Sequence, residues 1–319
     1  MDGYTIGIDI GGTMIKGALF DLQGGLIRKD ETSTKAEKGL EPFIENIVSF
    51  VNLFQKGTGK ASSLGIGIAG VLDKERETLL ESPNLPLLKN VPLKKLLESE
   101  LGIPVFIEND ANIAALGELW AGDGKGIDNF LLLTLGTGIG SGLILNGNLW
   151  TGETGKAGEF GHAVVNPEGA QCACGKKGCL EAHSSGSAMV RMAREALAKG
   201  RESSLQNLYK NNPDALTPKA IYTEAKNGDE LCLEIFKEAA RFLAIAISDV
   251  NNLLDIHNFI IGGGVSKASH IFEAGLREEV RKRVFSISKD KIRIIISKLG
   301  NDAGIFGAGY LAKRGVSGY

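Results

Sequence analysis

Residues 4–21 read Tyr-Thr-Ile-Gly-Ile-Asp-Ile-Gly-Gly-Thr-Met-Ile-Lys-Gly-Ala-Leu-Phe-Asp. Two apolar runs separated by a Gly-Gly turn predict two antiparallel strands, Tyr4–Ile10 and Met14–Asp21. The same order returns near the middle of the chain, where strand Phe130–Leu135 leads through a glycine-rich turn into a strand over 142–145. A strand–turn–strand unit that occurs twice predicts two related α/β domains facing each other.

The remaining pattern predicts strands and helices in alternation. Strands are predicted over 25–32, 64–68, 105–107, 259–261 and 292–296, and helices over 41–55, 92–101, 110–121, 230–254 and 302–312. We predict a small domain over 1–116, completed by the C-terminal helix at about 303–319, and a larger domain over 117–302 that carries the cysteine-rich segment.

Bulk composition excludes several classes of protein. The chain has 319 residues, 43% hydrophobic and 23% charged, with a net charge of −2, which is typical of a globular protein and gives no basis for binding nucleic acid or an anionic membrane. Its apolar runs fall short of the ~18 residues of a spanning helix. A strand predicted from Tyr4 leaves no room for a targeting peptide. We therefore expect a cytoplasmic protein with small-molecule partners. A homo-oligomer, either a dimer or a tetramer, is also expected, although composition does not indicate it.

Cysteines mark a metal site. Cys172, Cys174 and Cys179 lie within eight residues, and His162 precedes the first of them by ten. Three thiolates and one imidazole form the ligand set of a closed structural zinc site. The fourth cysteine, Cys232, lies in a helical pattern and is expected in the core.

Two carboxylates flank this cluster. Glu159 precedes His162 by three residues, and Glu181 lies two residues after Cys179. A metal held here would bring both carboxylates and the second ring nitrogen of His162 together, where a polyhydroxyl substrate could bind them. The other histidines lack metal-like spacing and are expected at the surface or at helix ends: His183, His257 and His270.

Glycine clusters end three predicted strands, at 11–12, 136–140 and 262–264. Glycine lets backbone N–H groups approach phosphate oxygens closely, and Thr13 and Thr137 add hydroxyl groups. These clusters predict a nucleotide-phosphate site. The chain has no Gly-x4-Gly-Lys-Ser/Thr motif, so it is not a P-loop protein.

Asp110 follows a predicted strand and begins a predicted helix. A carboxylate there is held ionised by the helix N-terminus and could act as a general base. The same position is also that of an ordinary N-cap, so both interpretations stay open at this point.

Five motifs occur in order along nearly the whole chain. They are Asp9-x-Gly-Gly-Thr13 with Lys16, Glu108-Asn109-Asp110-Ala111-Asn112, Gly136-Thr137-Gly138-x-Gly140, Gly158-Glu159-x-Gly161-His162, and Cys172-x-Cys174-Gly-x-x-Gly-Cys179-Leu-Glu181. Together they resemble the ROK (repressor, open reading frame, kinase) family and are most similar to its bacterial glucokinases. The resemblance implies duplicated actin-like ATPase (ribonuclease H-like) domains with an interdomain cleft. It also implies ATP-dependent phosphorylation of a hexose, first of all glucose to glucose 6-phosphate.

The resemblance also assigns roles. Asp110 would be the general base, and the other sugar-binding residues would be Asn84, Asn109, Glu159, His162 and Glu181. Asp9 would position Mg²⁺ through water, and the phosphates of ATP would contact Gly11, Gly12, Thr13, Lys16, Gly136, Thr137 and Gly138. Gly262, Gly263 and Gly264 would approach the adenosine. The zinc held by His162, Cys172, Cys174 and Cys179 would be structural.

Other functions within the family are open to different degrees. Kinases for N-acetylglucosamine, N-acetylmannosamine, mannose, fructose or allose share this plan, and no residue identifies the sugar or its anomer. A sugar-responsive repressor would need a DNA-binding domain before the first glycine turn, and only eight residues precede Asp9. A non-catalytic sugar sensor is disfavoured because Asp9, Asp110 and both Gly-Thr loops are intact.

Overall fold

The computed structural model describes residues 3–317, which form twelve strands and ten α-helices. The strands are β1 (Tyr4–Ile10), β2 (Met14–Asp21), β3 (Leu26–Ser33), β4 (Ser63–Ile68), β5 (Val71–Leu72), β6 (Leu79–Glu81), β7 (Val105–Asn109), β8 (Phe130–Leu135), β9 (Ile139–Leu145), β10 (Asn148–Leu149), β11 (Asn258–Gly262) and β12 (Arg293–Ile296). The helices are α1 (Leu40–Gln55), α2 (Leu93–Leu101), α3 (Asp110–Ala121), α4 (Glu181–Ser184), α5 (Gly186–Ala198), α6 (Gln206–Asn211), α7 (Pro218–Lys226), α8 (Glu230–Leu254), α9 (Ser269–Arg283) and α10 (Ala303–Ser317).

Each strand and helix predicted from the pattern is present in the structure. The bounds of β1, β2, β8, α3 and α8 agree with the prediction, and the other ends shift by a few residues. The helix predicted from Pro92 begins at Leu93, and Pro92 is its N-cap residue. Short elements without a clear period are not individually predictable from the pattern, among them β5, β6, β10, α4 and α6.

The first sheet has the strand order β3-β2-β1-β4-β7. Its first three strands are antiparallel neighbours, whereas β4 and β7 run parallel to β1. The second sheet has the order β10-β9-β8-β11-β12, again with β11 and β12 parallel to β8. The two sheets therefore share one topology, in which β8 takes the place of β1. This confirms the duplicated α/β architecture expected from the repeated strand–turn–strand pattern.

The chain folds into two compact units. The first comprises Met1–Asp128, Gly142–Gly158 and Asn301–Tyr319, and the second comprises Asn129–Ser141 and Glu159–Gly300. The first unit thus continues past residue 116, where the pattern predicts a boundary, because α3 runs unbroken across that position.

Apolar side chains from sheet and helices fill the first unit. Its core includes Ile6 and Ile8 of β1 together with Phe43 and Ile47 of α1, all fully buried. On the other face of the sheet, α10 packs against α3. The backbones of the two helices are in contact at Gly117, where an added Cβ would overlap the carbonyl of Ala303. Because glycine has no side chain, these two helices approach closely.

The 25-residue helix α8 packs against several other helices of the second unit. Its buried face contacts α5 and α9, and it includes Cys232, which is fully buried as predicted. Between residues 3 and 317, no helix combines the length and the apolar character needed to cross a membrane.

Candidate active site and metal centre

The carboxyl ends of three parallel strands carry the polar residues of the first unit. Asp9 of β1 lies beside Gly67 of β4, which in turn lies beside Glu108 of β7. Asp110 begins α3 directly after β7. Ligands of open α/β sheets bind at the carboxyl ends of the strands. This edge is therefore a candidate site.

The first glycine turn is fixed by backbone and hydroxyl hydrogen bonds. Gly11 N–H donates to the Met14 carbonyl at 2.9 Å, and the buried Thr34 hydroxyl donates to the Gly11 carbonyl at 2.7 Å. A Cβ on Gly12 would lie 3.1 Å from the carbonyl oxygen of Asn84, so the turn and the proline-rich loop that carries Asn84 are adjacent. Two regions predicted to bind different substrates are thus brought together.

Asn109 caps helix α3. Its side-chain oxygen accepts hydrogen bonds from the N–H groups of Ala111 and Asn112, at 2.9 and 3.3 Å. Its amide nitrogen donates to the Gly70 carbonyl at 3.3 Å. Since Asn109 performs the capping, Asp110 is the first residue of the helix and is not its N-cap. The Asp110 side chain has an exposed face and is available to a ligand.

Asp9 and Asp110 interact electrostatically. Burial, followed by the charge of Asp110, raises the pKa of Asp9 to about 7, and the charge of Lys16 partly opposes the shift. Desolvation by the surrounding protein also raises the pKa of Asp110, although hydrogen bonds from Ala111 and Asn109 oppose it. The Asp110 side chain is accessible to solvent on one side and surrounded by protein on the others, as expected for a group in a recess. Two carboxylates whose charged forms disfavour each other are suited chemically to hold a cation and to accept a proton.

In the second unit, the N-terminus of α5 holds the second glycine turn. Gly186 N–H donates to the Gly136 carbonyl at 2.8 Å, and Ser187 N–H donates to the Thr137 carbonyl at 3.3 Å. Glu181 holds the far end of the turn, because its carboxylate accepts the Ile139 N–H at 2.9 Å.

A cavity of about 650 Å³ opens beside this turn. It is lined by Gly136, Thr137, Met189, Thr217, Pro218, Lys219, Tyr222, Thr223, Phe236, Gly264, Val265, Lys267 and Ala268. The lining is mostly apolar with a few hydroxyl groups, which suits a flat heterocycle. Of the predicted adenosine residues, Gly264 lines this cavity. The cavity residues on α5, α7 and α8 are not predicted from the sequence, because these are ordinary amphipathic helices without a motif.

The predicted metal ligands lie together in the second unit. The ligand atoms of His162, Cys172, Cys174 and Cys179 all fall within 4.8 Å of one another. Cys172 Sγ lies 3.7 Å from His162 Nδ1, and the sulfurs of Cys174 and Cys179 lie 3.6 Å apart. A tetrahedral zinc ion with Zn–S bonds of about 2.3 Å holds its sulfur ligands about 3.8 Å apart. The cluster is therefore compatible with a structural zinc.

Hydrogen bonds within the protein itself fix the conformation of the loop that carries the predicted metal ligands. Cys172 N–H donates to the Lys176 carbonyl at 2.8 Å, and Lys176 Nζ donates to the His162 carbonyl at 3.1 Å. Gly178 has a φ of 76° and packs on the Asn166 carbonyl, where a Cβ would overlap. Burial and the neighbouring sulfurs raise the pKa of Cys179 to about 12. A bound cation would offset this, since metal ligation requires the thiolate.

Glu181 lies next to the metal cluster, as predicted. One carboxylate oxygen lies 3.8 Å from Cys172 Sγ, and the other accepts the Ile139 N–H. Glu159 is exposed and immediately precedes the short turn Phe160–His162 that presents the imidazole. Since Nδ1 of His162 faces the sulfurs, Nε2 is the nitrogen left for another partner.

One expectation about the histidines is wrong. The pattern predicts a surface or capping role for His183, but its side chain is buried and packs against Phe242 in a tilted arrangement, with ring centroids 4.1 Å apart. It lies in short helix α4, where burial lowers its pKa. A four-residue helix is too short for a hydrophobic period to reveal its buried face.

Comparison with known proteins agrees with this architecture. The ROK family model matches residues 5–315. A glucokinase of Halalkalibacterium halodurans is 37% identical over 98% of this chain and 96% of its own. The structure of a ROK family glucokinase from Streptomyces griseus in complex with glucose and AMPPNP is 36% identical, with a TM-score of 0.82 over 98% of this chain and 99% of the other. A ROK hexokinase from Thermus thermophilus is 31% identical, with a TM-score of 0.85 over 98% and 99% of the two chains.

Two sheets of one topology, each with a glycine turn after its first strand, define a protein of the duplicated actin-like ATPase fold. The chain belongs to the ROK family.

Proposed function

We propose that this protein is an ATP-dependent hexose kinase that converts glucose to glucose 6-phosphate. The observation that carries the proposal is Asp110, an accessible carboxylate with no capping role at the first position of α3, beside Asp9. The similarity over nearly the whole length to glucokinases, one of them solved with glucose and an ATP analogue, supports the same activity.

Asp110 would accept the proton of the sugar 6-hydroxyl. As the hydroxyl oxygen bonds to the γ-phosphorus, the bond between that phosphorus and the β,γ-bridging oxygen breaks, and ADP leaves with the electron pair. A general base is most effective when its pKa approaches the working pH. The raised pKa of Asp110 therefore favours this role over that of a permanently charged surface carboxylate.

The glycine turns would bind the phosphates of ATP. In the first unit Gly11, Gly12 and Thr13 would face them, and Lys16 lies opposite Asp9 in the strand register. In the second unit Gly136, Thr137 and Gly138 would do the same. Bound Mg²⁺ neutralises phosphate charge, and Asp9 would hold it through water, as magnesium usually retains most of its hydration shell.

Adenosine would occupy the cavity beside Gly136 and Gly264. Its apolar lining from Met189, Val265 and Phe236 would contact the base, and threonine hydroxyls would hydrogen-bond to it or to the ribose. Gly262 and Gly263 would support this wall from the end of β11. Phosphoryl transfer depends mainly on positioning and charge neutralisation, which these residues supply.

The remaining sugar hydroxyls would bind Asn84, Asn109, Glu159, His162 and Glu181. His162 would use Nε2 for the sugar while Nδ1 ligates zinc. With four protein ligands the zinc has no open position, so it would fix the loop and take no part in the chemistry.

A panel assay tests the proposal. Purified protein with Mg·ATP should phosphorylate glucose with a higher kcat/KM than N-acetylglucosamine, N-acetylmannosamine, mannose, fructose or allose, and the product should be the 6-phosphate. The same panel with inorganic polyphosphate as donor serves as a control, since a polyphosphate/ATP-glucomannokinase is among the structural relatives at 26% identity. A preference for another hexose, or no turnover with any of them, would reject the assignment.

A further inference from the structure

Glu108 is a buried carboxylate directly before the candidate active site, and the proposed reaction has no step for it. The residue is 5% exposed and occupies the end of β7. One of its oxygens accepts the Asn109 N–H at 2.8 Å and the Asn112 amide at 3.1 Å, and the other accepts Arg76 Nε at 2.8 Å. These bonds fix the two ends of the first turn of α3.

Arg76 supplies the opposite charge and two further bonds. Its side chain is 17% exposed, and its terminal nitrogens donate to the Asp73 carbonyl at 3.1 Å and to the Gly155 carbonyl at 2.8 Å. One guanidinium therefore connects three segments of the first unit: the turn that carries Arg76, the end of β7 and the loop around Gly155. Lysine could not make these bonds together, because it has no planar fork of donors.

The backbone of Arg76 is strained in a way that points to this role. Its φ is 59°, a left-handed conformation that non-glycine residues seldom adopt. Asp73 stabilises the turn, because its carboxylate accepts the N–H groups of Glu77 and Thr78 at 2.7 and 3.1 Å. Such strain persists where surrounding contacts determine the conformation.

We propose that Arg76 is a positioning residue for phosphoryl transfer, acting through Glu108 on Asn109 and Asp110. Glu108 holds the N-cap residue and the first turn of α3, and so sets the position of the Asp110 carboxylate. Arg76 neutralises a buried carboxylate that would otherwise have hydrogen bonds but no positively charged partner, near Asp9 and Asp110. This inference depends on the proposed role of Asp110 as the base.

The test separates positioning from folding. Arg76→Gln should lower kcat about 10- to 100-fold, as small displacements of reacting groups do, with little change in the KM for glucose or ATP. Arg76→Lys keeps the charge but not the fork, and should recover stability more than kcat. Activities are expressed per folded molecule, at a temperature where circular dichroism shows each variant folded. Arg28→Gln is the matched control, because its pair with Asp30 is more exposed, with side chains 40% and 38% accessible against 17% and 7% for Arg76 and Glu108, and it should retain parental kcat.

A double-mutant cycle supplies a second measurement. Glu108→Gln and the double variant with Arg76→Gln should show kcat losses that are not additive, since the two residues act as one unit. Arg76 variants with parental kcat per folded molecule, or additive losses in the cycle, would overturn the inference. Asp110→Asn in the same assay distinguishes the two proposals. If Asp110→Asn is inactive while Arg76→Gln is normal, only the positioning role fails. If Asp110→Asn is normal, Asp110 is not the base and the positioning role fails with it, while absence of hexose phosphorylation by the parent protein would reject the proposed function itself.

Discussion

The two glycine turns occupy equivalent places in sheets of the same topology, but they carry different chemistry. Asp9 stands two residues before the first turn glycine, and Thr134 stands at the same place before Gly136. The first unit adds Asp110 beside Asp9, whereas the second holds its turn with Glu181 and the N-terminus of α5. The two units thus share a strand–glycine turn backbone, and Asp9, which lies beside Asp110 in the first unit, has no carboxylate equivalent in the second, where Thr134 takes its place.

The connections differ as much as the turns. In the first sheet a short 3-10 turn and the single α-helix α1 link β3 to β4. In the second, the metal loop and helices α4 to α7 are inserted before α8, which then leads to β11. The second copy has gained side chains suited to recognition: the carboxylates Glu159 and Glu181, the imidazole of His162, and the walls of the 650 Å³ cavity. The proposed base and magnesium residue therefore lie in the first unit, whereas three of the proposed sugar-binding residues and the cavity lie in the second. Three comparisons of variants would test this difference.

The largest effect is expected at Asp110. Asp110→Asn keeps the shape of the side chain but cannot accept a proton, so kcat should fall about 10²- to 10⁴-fold while glucose affinity changes far less. Glu159→Gln in the second unit should instead raise the KM for glucose with a smaller change in kcat. Steady-state kinetics and glucose titration measure both. Equal kcat losses in the two variants would contradict the division between the units.

Removing a metal ligand should mainly lower the stability of the second unit, which contains all four predicted ligands. Purified protein should contain about one zinc per chain, and Cys174→Ser should lose it together with stability, because metal binding is coupled to folding. Each kcal/mol lost would lower the melting temperature by about 2–4 °C. Elemental analysis and thermal unfolding provide the measurements. Cys232→Ala is the control: it removes a buried thiol outside the loop and should keep its zinc. A zinc-free parent protein with full stability would refute the site.

The smallest effect concerns the pH dependence of stability without Mg²⁺. Asp9 has a pKa of about 7 in the folded protein against an ordinary value of 3.8, so between these pH values the folded state binds more protons than the unfolded state. The free energy of unfolding should therefore fall as pH rises through this window, by at most about 1.4 kcal/mol per pH unit from this residue.

Asp9→Asn should flatten that slope, and Thr134→Val, at the equivalent place in the second unit, should leave it unchanged. Urea unfolding in the presence of a chelator, at about pH 4.5 and at about pH 7.5, would measure how the free energy of unfolding changes across most of this window. Identical slopes in the parent protein and Asp9→Asn would show that Asp9 is not buried with a raised pKa.

Much of this architecture could be predicted because it depends on local signals. Apolar runs ended by glycine indicate β1, β2 and β8, and a long helical period indicates α8. The cluster of His162, Cys172, Cys174 and Cys179 is predictable because these residues lie close together in sequence. By contrast, the cavity lining brings together Met189, Tyr222 and Phe236 from three helices, and nothing in their local pattern distinguishes them from core residues.

The capping of α3 shows a second limit. Asn109 and Asp110 are adjacent residues that both favour helix starts, so sequence alone could not decide which one caps and which one is free. The Arg76–Glu108 pair joins residues 32 positions apart through a strained turn, and pairing of that kind has no periodic signature. The oligomeric state stays a prediction.

The packing of α10 on α3 has a consequence for how the protein is made. The first unit needs residues that are translated before residue 122 and others that are translated after residue 302. Ribosomes add roughly 5–20 residues per second, so the N-terminal sheet would wait on the order of ten seconds or more for the helix that covers it. During that interval the face of α3 that carries Gly117 is without its partner helix. That face of the nascent chain would thus stay uncovered for a period set by translation speed, and slowing synthesis of the second unit would lengthen that exposure.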